Sequence, residues 1–309
     1  MNANAAEAAP VSAPSSRAGT LETLLWLARR ELWEHRSLWI APPVVAGVLA
    51  LCLLLGQVNL DVPLDPLLSH SARVAIFTYI VCLPAQLLFL VAVISLGFYL
   101  LDALYAERKD RSILFWKSLP VSDELTVGSK FFVAAVVVPL GVWALAMVSD
   151  LLFAGILALR LPGAMSFSAY EWLRAELVLL VEVLLAVLWY APIAGLLLLC
   201  SAWVRKSPVM WVSLVSIVAP LIERIGLGTG YIWKFEQYRI NGIWHKLSAE
   251  GAAHLFNFAH PNDLHPAGDL LNVLDLRTPF TDMDLWLGVI AAVALAYAAA
   301  RVRRFRDDT

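Results

Sequence analysis

Long apolar runs broken by short charged connections dominate this chain. A helix that crosses a bilayer needs about 20 predominantly apolar residues. Six segments meet that requirement, 39–57, 74–101, 131–159, 177–203, 208–225 and 285–302, and they predict six membrane-spanning helices. Residues 20–36, TLETLLWLARRELWEHR, have a different period. Leu21, Leu24, Leu25, Ala28 and Leu32 fall on one helical face. Arg29, Arg30, Glu31 and Glu34 project elsewhere, and Trp26 and Trp33 stand at the border. That pattern predicts an amphipathic helix lying in the membrane interface. Residues 226–284 form the longest piece outside the spans. Their aromatic stretch YIWKFEQYRINGIW predicts short helices against the lipid boundary, where Trp and Tyr concentrate.

Composition turns this pattern into a class. Hydrophobic residues make up 60% of the chain and charged residues 16%, with a mean hydropathy of +0.73. Soluble domains hold roughly 45–50% apolar and about 25% charged residues. The expected fold is therefore an all-α integral membrane protein, one membrane domain over 20–302 with a cytoplasmic tail at 303–309. The Ala, Pro and Ser-rich residues 1–19 lack a hydrophobic signal core and read as a disordered tail. Cys52, Cys82 and Cys200 lie inside apolar runs, where the expectation is small buried hydrophobes, not a disulfide framework.

The distribution of charge sets the orientation, because short cytoplasmic loops retain Lys and Arg. With both termini and the loops at 102–130 and 204–207 on one side, that side carries 15 of the 23 basic residues. The excursion at 226–284 holds four basic against seven acidic residues and is expected to face outward. A net charge of −2 divided across two sides of a membrane gives no reason to expect a nucleic-acid partner.

Catalytic signatures are sparse. HExxH is absent, and so is the phosphate-cradling GxxxxGK[ST]. VGSK at 127–130 has neither the second glycine nor the following Ser or Thr. The chain is not expected to be an enzyme or to hold a cofactor. His254, His260 and His265 with Asp263 and Asp269 are zinc or copper ligand types. Their Pro and Asn-Asp neighbours fit a turn-rich loop equally, and no metal is assigned to them. Asp150 and Glu182 are carboxylates inside apolar runs, costly there and by default part of a pathway or a pair. They are the candidate substrate-pathway residues, with a structural hydrogen bond to a neighbouring helix as the alternative.

The connection between the second and third spans is the most specific stretch: DALYAERKDRSILFWKSLPVSDEL at 102–125. A charged turn leads into the compact amphipathic SILFWKSL. Pro120 breaks the helix, Ser122 serves as N-cap, and Asp123 and Glu124 occupy the first turn, where the helix dipole favours acids. This order resembles the loop of type-2 permeases of ABC exporters, in Glu107, Arg108, Ser112, Leu114, Ser118, Leu119, Pro120, Val121, Ser122, Glu124, Leu125 and Lys130. It departs from them at Asp110-Arg111, where a Gly is frequent, and at Ser129, which interrupts a Gly-Lys step.

The resemblance implies a permease of the bacterial inner membrane, working as two copies, most simply a homodimer, with a separate ATP-binding subunit that carries ATP and Mg. It also implies that the segment is a coupling helix pushed by that subunit. Glu107, Arg108, Arg111, Leu114, Phe115, Trp116, Leu119 and Pro120 are then the coupling residues, with the apolar ones as anchor and the cations facing an acidic rim. A loop merely lying on anionic lipid is the competing reading of these residues. For the whole chain the alternatives are a secondary transporter, which would call for inverted repeats where no internal repeat is found, and a non-transporting scaffold or immunity protein.

Overall fold

Each apolar run becomes a helix because, in hydrocarbon, a helix satisfies every backbone N–H and C=O within its own segment. The structure is a computed structural model that describes residues 19–56, 70–118, 121–160, 168–247 and 278–305. The expectations for the N-terminal tail, for Leu119 and Pro120 and for the histidine-rich loop concern residues outside that set.

In chain order the helices are α1 (Thr20–Glu34), α2 (Ser37–Leu55), α3 (His70–Asp102), α4 (Tyr105–Lys109), α5 (Ile113–Ser118) and α6 (Asp123–Phe132). A single π-helical stretch, Val133–Val137, joins α6 to α7 (Val138–Arg160). Then follow α8 (Ala169–Trp203), α9 (Pro208–Gly226), α10 (Tyr231–Leu247), α11 (Thr278–Thr281) and α12 (Met283–Phe305). The described residues contain no strand. Six stretches are long and apolar enough to cross a membrane: Ser37–Leu55, Ile80–Lys109, Asp123–Arg160, Ala169–Trp203, Pro208–Gly226 and Met283–Phe305. The protein is a multi-pass membrane protein whose described regular structure is all helical.

Several helices outrun the apolar segments that predict them. The 35 residues of α8 span roughly 52 Å at 1.5 Å per residue, against a hydrocarbon thickness near 30 Å. The extra turns of α8 mix polar residues such as Glu171, Arg174 and Glu176 with apolar ones, so no unbroken apolar run marks them. The π-helical stretch lies just before Pro139. Proline has no N–H and its ring crowds the carbonyl four residues earlier, and a wider turn relieves both.

Packing follows membrane rules, with small residues letting backbones approach. α12 lies along α8, and α2, α3 and α7 pack mutually. Ala28, Ala85, Ala92, Ala103, Ala134, Ala146, Ala202, Ala299 and Ala300 populate the main core. Gly195 of α8 is set so close to α12 that a Cβ there would meet the Ala292 carbonyl oxygen and the Leu295 Cβ at 3.0 Å each. Large apolar side chains such as Leu90, Val93, Val148, Leu152, Ile217, Ile222, Ile290 and Val293 point outward instead, as they do when lipid is the solvent.

At the end of the bundle away from the α8 C-terminus, α10 is docked by its backbone. Trp189 Nε1 donates to the Arg239 carbonyl at 2.8 Å and the Tyr190 hydroxyl to that of Ile240 at 2.6 Å. Glu223, at the end of α9, starts α10 by accepting from the Tyr231 and Ile232 amides at 2.6 and 2.7 Å and from the Thr229 hydroxyl at 2.7 Å. Those amides are orphans of a helix N-terminus, so one carboxylate replaces the missing acceptors. The Tyr238 hydroxyl donates to Asp284. Burial first, and then that acidic acceptor, push its pKa up to about 12, so it stays a donor throughout the physiological range.

Candidate functional site

The connection 102–130 lies at the end of the bundle where α1, α6 and the C-termini of α8 and α12 meet, and a buried ion network holds it there. Glu31 of α1 is fully buried and accepts from Lys130 Nζ of α6 at 2.8 Å and from the Tyr99 hydroxyl at 3.1 Å. Lys130, also fully buried, reaches Glu107 of α4 at 3.0 Å. Glu107 in turn pairs with Arg30 at 3.2 Å and with Arg303 of α12 at 3.0 Å, and Arg303 also pairs with Asp123 at the first turn of α6. Three cations and three principal carboxylates from four helices thus neutralise one another. That balance makes the burial tolerable, because each unpaired charge would cost several kcal/mol to desolvate. Burial by itself would lower the Arg30 guanidinium pKa. Its bond to Glu34 and the charges of Glu31, Glu34 and Glu107 outweigh that effect and raise it.

This arrangement gives Glu31 of α1 a role that its sequence pattern does not show. Leu27, Ala28 and Glu31 face the protein, whereas Leu21, Leu25, Trp26 and Trp33 are exposed. Of the apolar face, Leu21 and Leu25 are left exposed while Ala28 and Leu32 pack into the core, and an acid is turned inward beside them. Periodicity separates apolar from charged positions, but it cannot tell which of them meet protein when the surroundings are themselves apolar.

The residues of the charged turn divide into two groups. Glu107 is 6% exposed and committed to the network. Arg108 donates to the carbonyls of Ser201 and Val204 at the end of α8, the latter at 2.8 Å. The Ser201 hydroxyl accepts from the Leu104 and Tyr105 amides at 3.0 and 3.1 Å, so α8 supplies the acceptor for the start of α4. Arg111 adopts φ 58°, the left-handed region that Gly enters at least cost. It stands at one of the two positions where the resembling loops frequently carry Gly. The Ser122 hydroxyl accepts from the Leu125 amide at 3.1 Å, the cap that the sequence predicts.

What remains outward is apolar. Ile113 is buried, but Leu114 and Phe115 are 63% and 59% exposed. Trp116 is half-buried beneath the Arg30 guanidinium, whose carbon sits 3.4 Å from the ring centroid, and meets Phe115 edge-on at 5.0 Å. Lys117 Nζ reaches the Arg304 carbonyl at 3.5 Å. The short helix α5 therefore offers a two-residue apolar tip on a base anchored to α1, α6, α8 and α12.

The carboxylates within the spans fall in two different settings. Asp150 is fully buried, and its neighbour is Glu176 of α8, 1% exposed, with the Cys82 thiol of α3 beside them. Glu182 is half-buried and does not join this cluster. Glu176 escapes the sequence reading because α8 begins at Ala169, a full two turns before the apolar run at 177–203 that marks it. An acid just outside an apolar run looks like an interfacial residue until the helix is extended.

Comparison of the chain with protein-family models, with curated proteins and with solved structures finds no match.

Proposed function

We propose that the protein is the membrane permease subunit of an ATP-driven exporter of the type-2 ABC class, working as a homodimer with a separate ATP-binding subunit in the bacterial inner membrane. The observation that carries this reading is the α4–α5 element, whose sequence resembles the coupling loop of that class. Leu114 and Phe115 form an exposed apolar tip. The base of the element is tied to four helices through Glu107 and Arg108. A push on such a tip cannot be absorbed locally, because the charges behind it are buried and have no water to relax into. It is passed to α1, α6, α8 and α12. ATP and Mg belong to the partner, and the cargo would be moved outward between the helices.

Leu114 and Phe115 are the anchors in this reading. Trp116 acts from behind them through Arg30, and the Arg108 guanidinium positions the loop on α8. Replacing Leu114 and Phe115 together with Ala should weaken the ATP-binding subunit's hold by about thirtyfold, the equivalent of about 2 kcal/mol for a hot-spot anchor. The permease alone should insert and melt as before, since both side chains are exposed. Pull-down of the partner ATP-binding subunit, together with its stimulation in nanodiscs, makes the measurement. An undiminished complex with full stimulation would remove the coupling role.

The topology in this reading has its own test. Single cysteines at Ser207 and Ala267, in a background without other cysteines, should react with an impermeant reagent from opposite faces of the membrane. Reaction of both from outside would rule out two cytoplasmic termini joined by six spans.

A further inference from the structure

Four helical turns or more away from the ion network, the membrane interior holds acids with nothing to neutralise them. Asp150 lies twenty positions after Lys130, roughly 30 Å along the helix. All four carboxylate oxygens of Asp150 and Glu176 are shut off from solvent and meet no standard donor, so hydrogen bonding within the cluster is confined to the two carboxyl groups, the Cys82 thiol and the Trp172 indole. Among the described residues no Lys, Arg or His acts on either carboxylate. The Cys82 sulfur and one oxygen from each acid lie within 4.8 Å of one another. The indole of Trp172 acts on Glu176, and its own buried Nε1–H has no acceptor at hydrogen-bond distance.

From this cluster we propose that Cys82, Asp150 and Glu176 form a binding site for a divalent transition-metal cation of the zinc type, held inside the membrane between α3, α7 and α8. With the Cys82 thiolate the ionised ligands carry three negative charges; one divalent ion offsets two of them, and a proton kept on the non-ligating oxygen of one carboxyl group offsets the third. The sulfur decides the class of ion, since a thiolate favours zinc-type metals over magnesium or calcium. Tetrahedral zinc bonds of about 2.0–2.3 Å place ligand atoms about 3.3–3.6 Å apart, so modest side-chain rotations close the present spacing. Three protein ligands leave a fourth position for water or for a group on a cargo. The Trp172 N–H can then turn onto the non-ligating oxygen of Glu176, the outer hydrogen bond that metal carboxylates ordinarily receive. Binding displaces the other protons that neutralise these ligands, so the site loads with proton release.

The test uses the full-length protein in detergent, with Cys52 and Cys200 replaced by Ser so that Cys82 is the sole thiol, and Co(II) as the probe. One Co(II) per chain with a sulfur-to-cobalt charge-transfer band supports the site. Cobalt held by the distant histidines would give no such band, so its absence overturns the proposal. Asp150→Asn and Glu176→Gln keep the side-chain shape without the charge, and each should weaken binding by about a hundredfold or more. Unchanged affinity in both variants also overturns the proposal. A wild-type protein that takes up neither cobalt nor zinc and instead shows the infrared carbonyl stretch of protonated carboxylic acids, lost in these variants, would show that protons alone neutralise the pair.

Discussion

Replacing Lys130 with Met should destabilise the isolated protein by about 3–5 kcal/mol, the usual consequence of removing one partner from a buried ion pair. Lys130 Nζ is fully buried and bridges Glu31 at 2.8 Å and Glu107 at 3.0 Å. Without it, Arg30 is the cation left near Glu31, at 3.8 Å. Methionine fills a similar volume, so the loss measures charge and not packing. The check is a melting temperature in detergent, read against Glu124→Ala on the exposed side of the same helix, which should hardly move. Combining Glu31→Gln with Lys130→Met removes the abandoned charge and should recover part of the loss. An unaltered melting temperature for Lys130→Met alone would show that water reaches these carboxylates. The same network links α1, α4, α6 and α12, so its rupture should also uncouple the tip at Leu114 and Phe115 from the spans.

A comparable effect is expected from a residue with no chemistry at all. Gly195→Leu should separate α8 from α12, because even the first added carbon would stand 3.0 Å from the Ala292 carbonyl oxygen and from the Leu295 Cβ. Overpacking a well-fitted contact costs about 1–3 kcal/mol, and more when backbone is the obstacle. Gly97→Leu is the matched control, since a Cβ at Gly97 would meet nothing within 4 Å. Melting temperature and the yield of folded protein should fall for Gly195→Leu and stay near wild type for Gly97→Leu. Equal losses at both positions would mean that bulk in any span is harmful and that the α8–α12 contact holds no special role.

Both effects sit on residues whose structural role a reading of the sequence does not show, and for different reasons. Lys130 appears in the sequence as a loop cation, counted toward orientation and toward the loop motif. Its burial depends on Glu31, 99 positions earlier, and on Glu107. Gly195 is one glycine among 16, and only the approach of a helix about a hundred positions later gives it meaning. Arg108 and Glu107 were legible as part of a specific motif but not as structural ties. A motif shows that residue types recur in order without showing which of them face a partner.

What the sequence determines by itself is local or one-dimensional. Six apolar lengths match the bilayer, Ser122 caps a helix whose first turn is acidic, and α1 has two chemically distinct faces. These follow from propensity, hydrogen-bond satisfaction and transfer energy, each computed over a few neighbouring residues. Tertiary structure alone decides the rest. It turns Glu31 inward, sets Asp150 beside Glu176 and apart from Glu182, and leaves Leu114 and Phe115 uncovered while Trp116 is taken up by Arg30. The physical reason is that a charge in a low-dielectric interior is governed by its partners within a few ångströms. In a helical bundle those partners come from segments far apart in the chain, at heights set by helix length and tilt. Hydropathy records the cost of placing an acid in the membrane; only the packed helices supply what offsets it.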